Sequence, residues 1–413
     1  MSSRHVTAEP ESVGLSPERL AKLDRHVLER HIAPGRLPGA LVLVHRRGET
    51  VHLSVQGQAD RERGAPLQED ALFRIYSMTK PLTSIAFMML VEEGAVALDD
   101  PVTRFIPEWA DLGVYVGGVE GGFITRPPAR PMQMVDLLRH TSGLTYGFQQ
   151  RSNVDAVYRA RDIGVPGGAN TLDGMIADLA RLPLEFSPGE AWNYSVSTDV
   201  VGYLVGRISG RPFDRFLRER VLDPLGMSDT GFRVPTGQEA RLPACYTAGR
   251  DGALTLQDDP EQSSYLKPAG FISGGGGLVS TAADYLKFCR MLLNRGELGG
   301  HRLVGPKTLK LMASNHLPGG RDLSSMSRSM FSEATNEGVG FGLGFATTLD
   351  PARTLLPGSV GDIYWGGAAG TYFWVDPAEE LIVVFMTQVL GLPQSLRREL
   401  RTLVYSAITD ANA

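Results

Sequence analysis

The sequence predicts an α/β fold of the α+β kind: one antiparallel sheet built from both ends of the chain, flanked by terminal helices, with a mostly helical middle. Three observations carry this. The chain opens with a helix followed by a hairpin, it closes with a hairpin followed by a helix, and the stretch between is rich in helical patterns joined by long loops.

Ser16-Pro17 caps and opens the first helix, SPERLAKLDRHVLERHI, with Leu20, Leu23, Val27 and Leu28 on one stripe. GALVLVHRRGETVHLSVQG follows, two apolar runs around Arg47-Gly48-Glu49, the pattern of a β-hairpin. At the far end YWGGAAGTYFWV and LIVVFMTQVL flank the turn Asp376-Pro377-Ala378-Glu379, and SLRRELRTLVYSAI closes as an amphipathic helix. The middle holds MVDLLRH, TLDGMIADLARL, STDVVGYLVGRISG and STAADYLKFCRMLL between Gly/Pro/Asn loops. Segments 114–131 and 324–338 are longer than scaffolding requires and are candidates for the walls of a cleft.

At 413 residues the chain exceeds the size at which one core stops growing, so two domains, or one with a large insertion, are expected. A formal net charge of -5 gives no electrostatic case for nucleic acid or an anionic membrane. The first residues lack the apolar core of a signal peptide, and no apolar run is long enough to span a bilayer, so a soluble, cytoplasmic protein is expected. Cys245 and Cys289 are too few for a disulfide framework and lack metal-ligand spacing; buried thiols are the expectation.

Several familiar sites are missing: there is no GxxxxGK[ST] loop, no HExxH, and no serine in GxSxG. His140 ends a helix before a turn and reads as a histidine satisfied by loop carbonyls. Gly274 to Gly277 read as a tight connection before a helix capped at Ser280/Thr281, with a place beside a site as the alternative.

What remains is Ser77-Met78-Thr79-Lys80. In a helix beginning near Ser77, residues i and i+3 share a face, so the hydroxyl and the amine can meet as nucleophile and base. Leu82, Ile85, Ala86, Met89 and Leu90 supply an apolar stripe, Pro81 falls in the first turn, and Gly94 ends the helix. On this pattern alone Ser77 reads equally well as a helix cap. Ser-x-x-Lys also occurs as Ser264-Tyr265-Leu266-Lys267, where Pro268 follows and no stripe does. A second element, Trp192-Asn193-Tyr194-Ser195-Val196-Ser197, places a phenol in a loop before a helix capped near Ser197; taken alone, Tyr194 is a packed aromatic.

SMTK, NYSVS and WGG, in that order, resemble the three active-site elements of the class C β-lactamase and penicillin-binding superfamily, closest to the family VIII carboxylesterases. LLRHTSGLTYG, PLGMSDTGF and GGGLVSTAADYLKFCRMLL extend the resemblance over nearly the whole chain. It implies a β-lactamase-like fold, with a discontinuous sheet domain (8–95 and 270–413), a mostly helical insertion (96–269), and the site between them. It implies Ser77 as nucleophile, Lys80 and Tyr194 as proton-transfer partners, and the N–H groups of Ser77 and Ala368 as an oxyanion hole. Trp365, Gly366 and Gly367 would contact substrate, the small residues leaving backbone bare for an acyl group. No metal or cofactor is implied.

The departures are informative. Where penicillin-interacting relatives carry Lys-Thr-Gly or His-x-Gly, this chain has Trp365-Gly366-Gly367, and the usual Tyr-x-Asn is Tyr194-Ser195-Val196. Its one Lys-Thr pair, Lys307-Thr308, is followed by Leu309. Both changes remove polar recognition of β-lactams, so the expectation is a serine carboxylesterase whose partner is a small to medium neutral ester. The rivals are a β-lactamase or D-amino-acid peptidase, an acyltransferase with the same site, and a non-enzymatic scaffold, which would make the Ser77, Lys80 and Tyr194 set a coincidence.

Overall fold

The computed structural model describes residues 5–166, 170–329 and 337–410. An antiparallel sheet forms from the two ends of the chain. Its strands are β1 (Gly39–Arg46), β2 (Glu49–Asp60), β3 (Ala65–Pro66), β4 (Val339–Phe341), β5 (Ala346–Thr348), β6 (Ile363–Gly366), β7 (Tyr372–Asp376) and β8 (Leu381–Met386), in the order β4-β5-β6-β7-β8-β1-β2-β3. The join between the ends is β1 against β8, with Leu41 opposite Met386 and Arg46 opposite Leu381.

Every residue of β1 is buried, which is what a strand covered on both faces requires. Alternation sends successive side chains to opposite faces. Arg46 reaches the carbonyls of Val13 and Gly14, Glu379 at 2.7 Å and Asp410 at 2.7 Å, so a fully buried cation is satisfied by groups from both ends of the chain. His45, its neighbour, faces away toward Arg290.

The first helix, α1 (Pro17–Val27), is capped by Ser16 as its sequence predicts. It buries Leu20, Leu23 and Val27, but Leu28 is 44% exposed, because the chain passes there into a π-helical turn, Leu28–Ile32, that breaks the stripe. The β1–β2 turn is Arg47-Gly48, both at positive φ. At the other end, YWGGAAGTYFWV is two strands rather than one. Gly367 donates its N–H to the Thr371 carbonyl, Gly370 takes φ 85°, and β6 folds back as β7.

The predicted nucleophile helix begins with a 3-10 turn, Tyr76–Met78, and continues as α2 (Thr79–Glu92) to Gly94 at φ 72°. From Thr79 to Leu90 every residue of α2 is buried, so it is a central helix rather than a one-sided one. Against it lies α3 (Ser197–Ser209), while α4 (Ala282–Leu293), capped by Thr281, packs on β7 and β8. The closing helix α5 (Ser395–Ser406) packs on α1.

Val196, not Ser197, holds the cap position of α3. The Ser197 hydroxyl is engaged instead with Ser142 and Ser195. The stretch between α2 and α4, expected to be mostly helical, carries short helices joined by longer loops, together with a hairpin, Val114–Gly117 with Ile124–Arg126, and a strand Cys245–Ala248 that pairs with Val389–Leu390. Both cysteines are free and buried.

Candidate active site

Ser77 lies in the 3-10 turn, where Tyr76 adopts φ 41°, a left-handed conformation that an aromatic residue takes only under constraint. Several elements hold the turn. Thr371 donates to the Ile75 carbonyl, Tyr285 donates to the Met78 carbonyl at 2.9 Å, and the Leu278 N–H donates to Thr79 Oγ1. The hydroxyl is thereby fixed by its surroundings rather than by its own loop.

The three residues predicted to act together converge. Tyr194 Oη donates to Ser77 Oγ at 2.7 Å, and Lys80 Nζ donates to the same oxygen at 3.2 Å. Lys80 is 1% exposed and Ser77 8%. The amine also donates to the Gly275 carbonyl at 2.7 Å and to Tyr146 Oη at 3.1 Å, and it lies over the Tyr194 ring, 4.6 Å from the centroid. The four-glycine run is therefore part of the site: Gly275 supplies a carbonyl, and a Cβ there would stand 2.6 Å from Asp199 Oδ2.

Sequence reasoning missed Tyr146 and Asp199. Asp199 accepts from Ser273 Oγ at 2.6 Å and the Gly275 N–H at 2.9 Å, and its Oδ2 has no hydrogen-bond partner. Burial pushes its carboxyl above the ordinary range, against the pull of Lys80. Burial likewise holds the Tyr146 phenol well above its usual value. His140 is pushed well below the ordinary imidazole range, first by burial and then by Lys80, so it is neutral near pH 7; Nδ1 meets Ser195 Oγ at 3.1 Å. The surroundings of Lys80 thus disfavour charge on three neighbouring groups.

Trp365 is fully buried. Its indole N–H donates to Tyr194 Oη at 3.3 Å, and its ring meets Phe341 edge-on. It touches the phenol rather than the space above Ser77. The glycines after it answer to packing: a Cβ at Gly366 would stand 2.6 Å from Cζ of Arg397, and one at Gly367 would stand 2.4 Å from the Ile75 carbonyl oxygen. Ala368 lies in the turn beyond and faces the cleft.

A cleft of about 370 Å³ opens over Ser77, lined among others by Tyr146, Phe148, Pro166, Tyr194, Ala368 and Leu390. None of its described lining residues carries a charged side chain. Residues 114–131 do not line it. Within 324–338, Ser329 Oγ accepts from Gln149, whose amide also donates to the Tyr194 carbonyl; residues 330–336 lie outside the described residues. Ser264 and Lys267 are exposed and stand apart from the cleft.

A hydroxyl that receives hydrogen bonds from a phenol and an amine at the base of an uncharged cleft is equipped for nucleophilic attack with proton transfer. The chain is similar to known proteins over most of its length. The Beta-lactamase family matches residues 25–406. Protein Rv1367c of Mycobacterium tuberculosis is 38% identical over 357 residues, 86% of each chain. Esterase EstB of Burkholderia gladioli is 32% identical over 423 residues, covering 97% of this chain and 99% of its own. Among solved structures, EstCE1, a hydrolase with promiscuous acyltransferase activity, superposes with a TM-score of 0.79 at 28% identity, over 94% of this chain and 99% of its own. No helix of the described residues is long and apolar enough to cross a membrane.

Proposed function

Because the chain belongs to the beta-lactamase family and is a serine hydrolase, we propose that it is a carboxylesterase that cleaves small to medium neutral esters through an acyl-enzyme on Ser77. The observation that carries this reading is the double hydrogen bond to Ser77 Oγ, from Tyr194 and from Lys80.

In this scheme the Tyr194–Lys80 pair starts one proton short, as a neutral amine beside the phenol or a phenolate beside the ammonium, and takes up the Ser77 proton as Oγ attacks the ester carbonyl carbon. The carbonyl oxygen, now negative, is held by the N–H groups of Ser77 and Ala368. The tetrahedral intermediate collapses, the alkoxide leaves with the proton the pair returns, and an acyl-Ser77 ester remains. Water, deprotonated by the same pair, releases the acid and restores the serine.

The neutrality of the substrate rests on the cleft. A substrate carboxylate, such as that of a β-lactam or a D-amino-acid peptide, would enter a space whose described lining offers no cation to pair with it. Tyr194-Ser195-Val196 supplies a buried Val196 where those relatives carry an amide.

The promiscuous acyltransferase activity of EstCE1 favours a second reading at the last step: an alcohol other than water could take the acyl group from Ser77. The two readings share every residue named and part only at deacylation.

A p-nitrophenyl ester chain-length series, run beside a chromogenic cephalosporin on wild type and Ser77→Ala, tests the proposal. Ester hydrolysis that peaks at short to medium acyl chains and disappears in Ser77→Ala supports it. Full activity in Ser77→Ala overturns the acyl-enzyme, cephalosporin turnover matching the ester replaces the esterase reading, and transfer to added alcohol exceeding hydrolysis selects the acyltransferase.

A further inference from the structure

A second cluster of reactive side chains lies between the terminal helices, and none of it lines the cleft. His26 is in the last turn of α1, His31 is in the π-helical turn that continues it, and Glu399 faces both from α5. Each histidine places Nε2 2.8 Å from the same carboxylate oxygen, Oε2.

Residues five apart on a regular α-helix point about 140° apart, so His26 and His31 would not ordinarily meet. The π turn takes up the extra residue and brings the two rings together, 5.6 Å between centroids. One donor atom from each of the three residues then lies within 4.8 Å of the others. His31 is buried, while His26 and Glu399 are partly exposed, so solvent reaches one side of the group.

A carboxylate oxygen only accepts, so in this arrangement both Nε2 atoms must carry protons to be held. A divalent cation does the work of both protons at once. Two imidazoles and a carboxylate are a donor set suited to zinc. With bonds of about 2.0–2.2 Å and tetrahedral angles, ligand atoms stand about 3.3 Å apart, so each contact has to open by only about 0.5 Å.

We propose that His26, His31 and Glu399 form a binding site for a divalent cation of the zinc class, which ties the first helix to the last, with water completing the coordination shell. The ion is structural: it joins two helices at the ends of the chain and touches no group of the cleft.

The test uses full-length protein stripped with a chelator and titrated with Zn²⁺, read by calorimetry and by thermal unfolding. Expected are one equivalent bound per chain, an unfolding midpoint that rises with Zn²⁺ concentration, and loss of both effects in His26→Gln/His31→Gln. Saturable uptake absent from the wild type, or unchanged in the double variant, overturns the proposal. Circular dichroism reports whether the double variant folds. Should it not fold, Co²⁺ added to the wild type decides: intense visible absorption from a low-coordinate nitrogen and oxygen site supports the assignment, and the weak spectrum of hydrated Co²⁺ overturns it.

Discussion

The indole N–H of Trp365 donates to the hydroxyl of Tyr194, and that hydroxyl in turn donates to Ser77 Oγ, so a tryptophan inside the sheet reaches the serine through one intervening oxygen. In the proposed mechanism, a Tyr194 that has given up its proton makes the indole bond charge-assisted and stronger. Trp365→Phe keeps an aromatic ring, removes the donor and leaves a cavity where the rest of the indole stood. It is expected to cost about 1.5–3 kcal/mol in transition-state stabilisation, a loss of about 10- to 100-fold in kcat/KM carried mainly by kcat. An unchanged kcat would show that the indole serves packing alone.

Removing the proton-transfer groups costs about 10²- to 10⁴-fold. Lys80→Ala and Tyr194→Phe are each expected to lose ester hydrolysis to that degree while retaining the wild-type circular dichroism spectrum. Ser264→Ala, in the exposed second Ser-x-x-Lys, serves as the control and leaves the rate unchanged.

Tyr146 accepts a hydrogen bond from Lys80 at 3.1 Å, and Tyr146→Phe takes away that acceptor without emptying the space. A fall in kcat with a displaced pH–rate profile is expected, because the partner set of the amine changes. A fall in kcat/KM with an unmoved profile would assign Tyr146 to substrate contact instead.

The two glycines after Trp365 are expected to respond unequally. A Cβ at Gly366 meets the far end of the Arg397 side chain, which can move; a Cβ at Gly367 meets the backbone oxygen of Ile75, two residues before Ser77. Gly366→Ala therefore retains measurable activity, and Gly367→Ala loses both activity and thermal stability. Equal effects, by ester assay and melting temperature, would contradict this expectation.

His45 is buried against the sheet with Nδ1 3.1 Å from Thr50 Oγ1, and burial pushes its imidazole down to about 4, with Arg290 adding to the shift and Glu49 opposing it. Its folded value lies below the unfolded value of about 6.5, so between the two the unfolded chain binds more protons and stability rises with pH. Lowering the pH from 7 to 5 is expected to remove about 2 kcal/mol through this residue. Urea titrations at the two pH values check it: His45→Asn, although less stable throughout, loses that part of the difference.

Ser77 and Lys80 are legible in the sequence because i, i+3 spacing is local and a helix converts it directly into contact. Tyr146 and Asp199 are not, and Gly275 is so only as an alternative for the four-glycine run, since they come near Lys80 from separate segments whose distance along the chain carries no geometric information. Tyr146 sits inside LLRHTSGLTYG, one of the phrases that support the family resemblance, yet nothing local distinguishes its phenol from a packed aromatic. The sequence points Trp365 toward the substrate; strand alternation fixes which neighbours share its face but not what covers that face, and there the structure puts Tyr194 and Phe341. The glycine-rich edge reads as space for an acyl group, whereas a Cβ on it would meet Arg397 from the last helix, the Thr371 hydroxyl and the Ile75 carbonyl. The terminal hairpins are legible from their apolar runs and turn residues, and the π turn after α1 is not, because no residue type marks it.

The pairing of β1 with β8 also sets the order in which a growing chain can fold. Leu41 leaves the ribosome long before Met386 exists, so β1 and β2 must wait for nearly the whole polypeptide before the central seam can close. Until then an apolar strand destined to be covered on both faces has one unpaired edge, open to other nascent chains. Synthesis slowed in the codons just before Leu381 would lengthen that interval, and the yield of soluble protein should track it more closely than it tracks the stability of the finished fold.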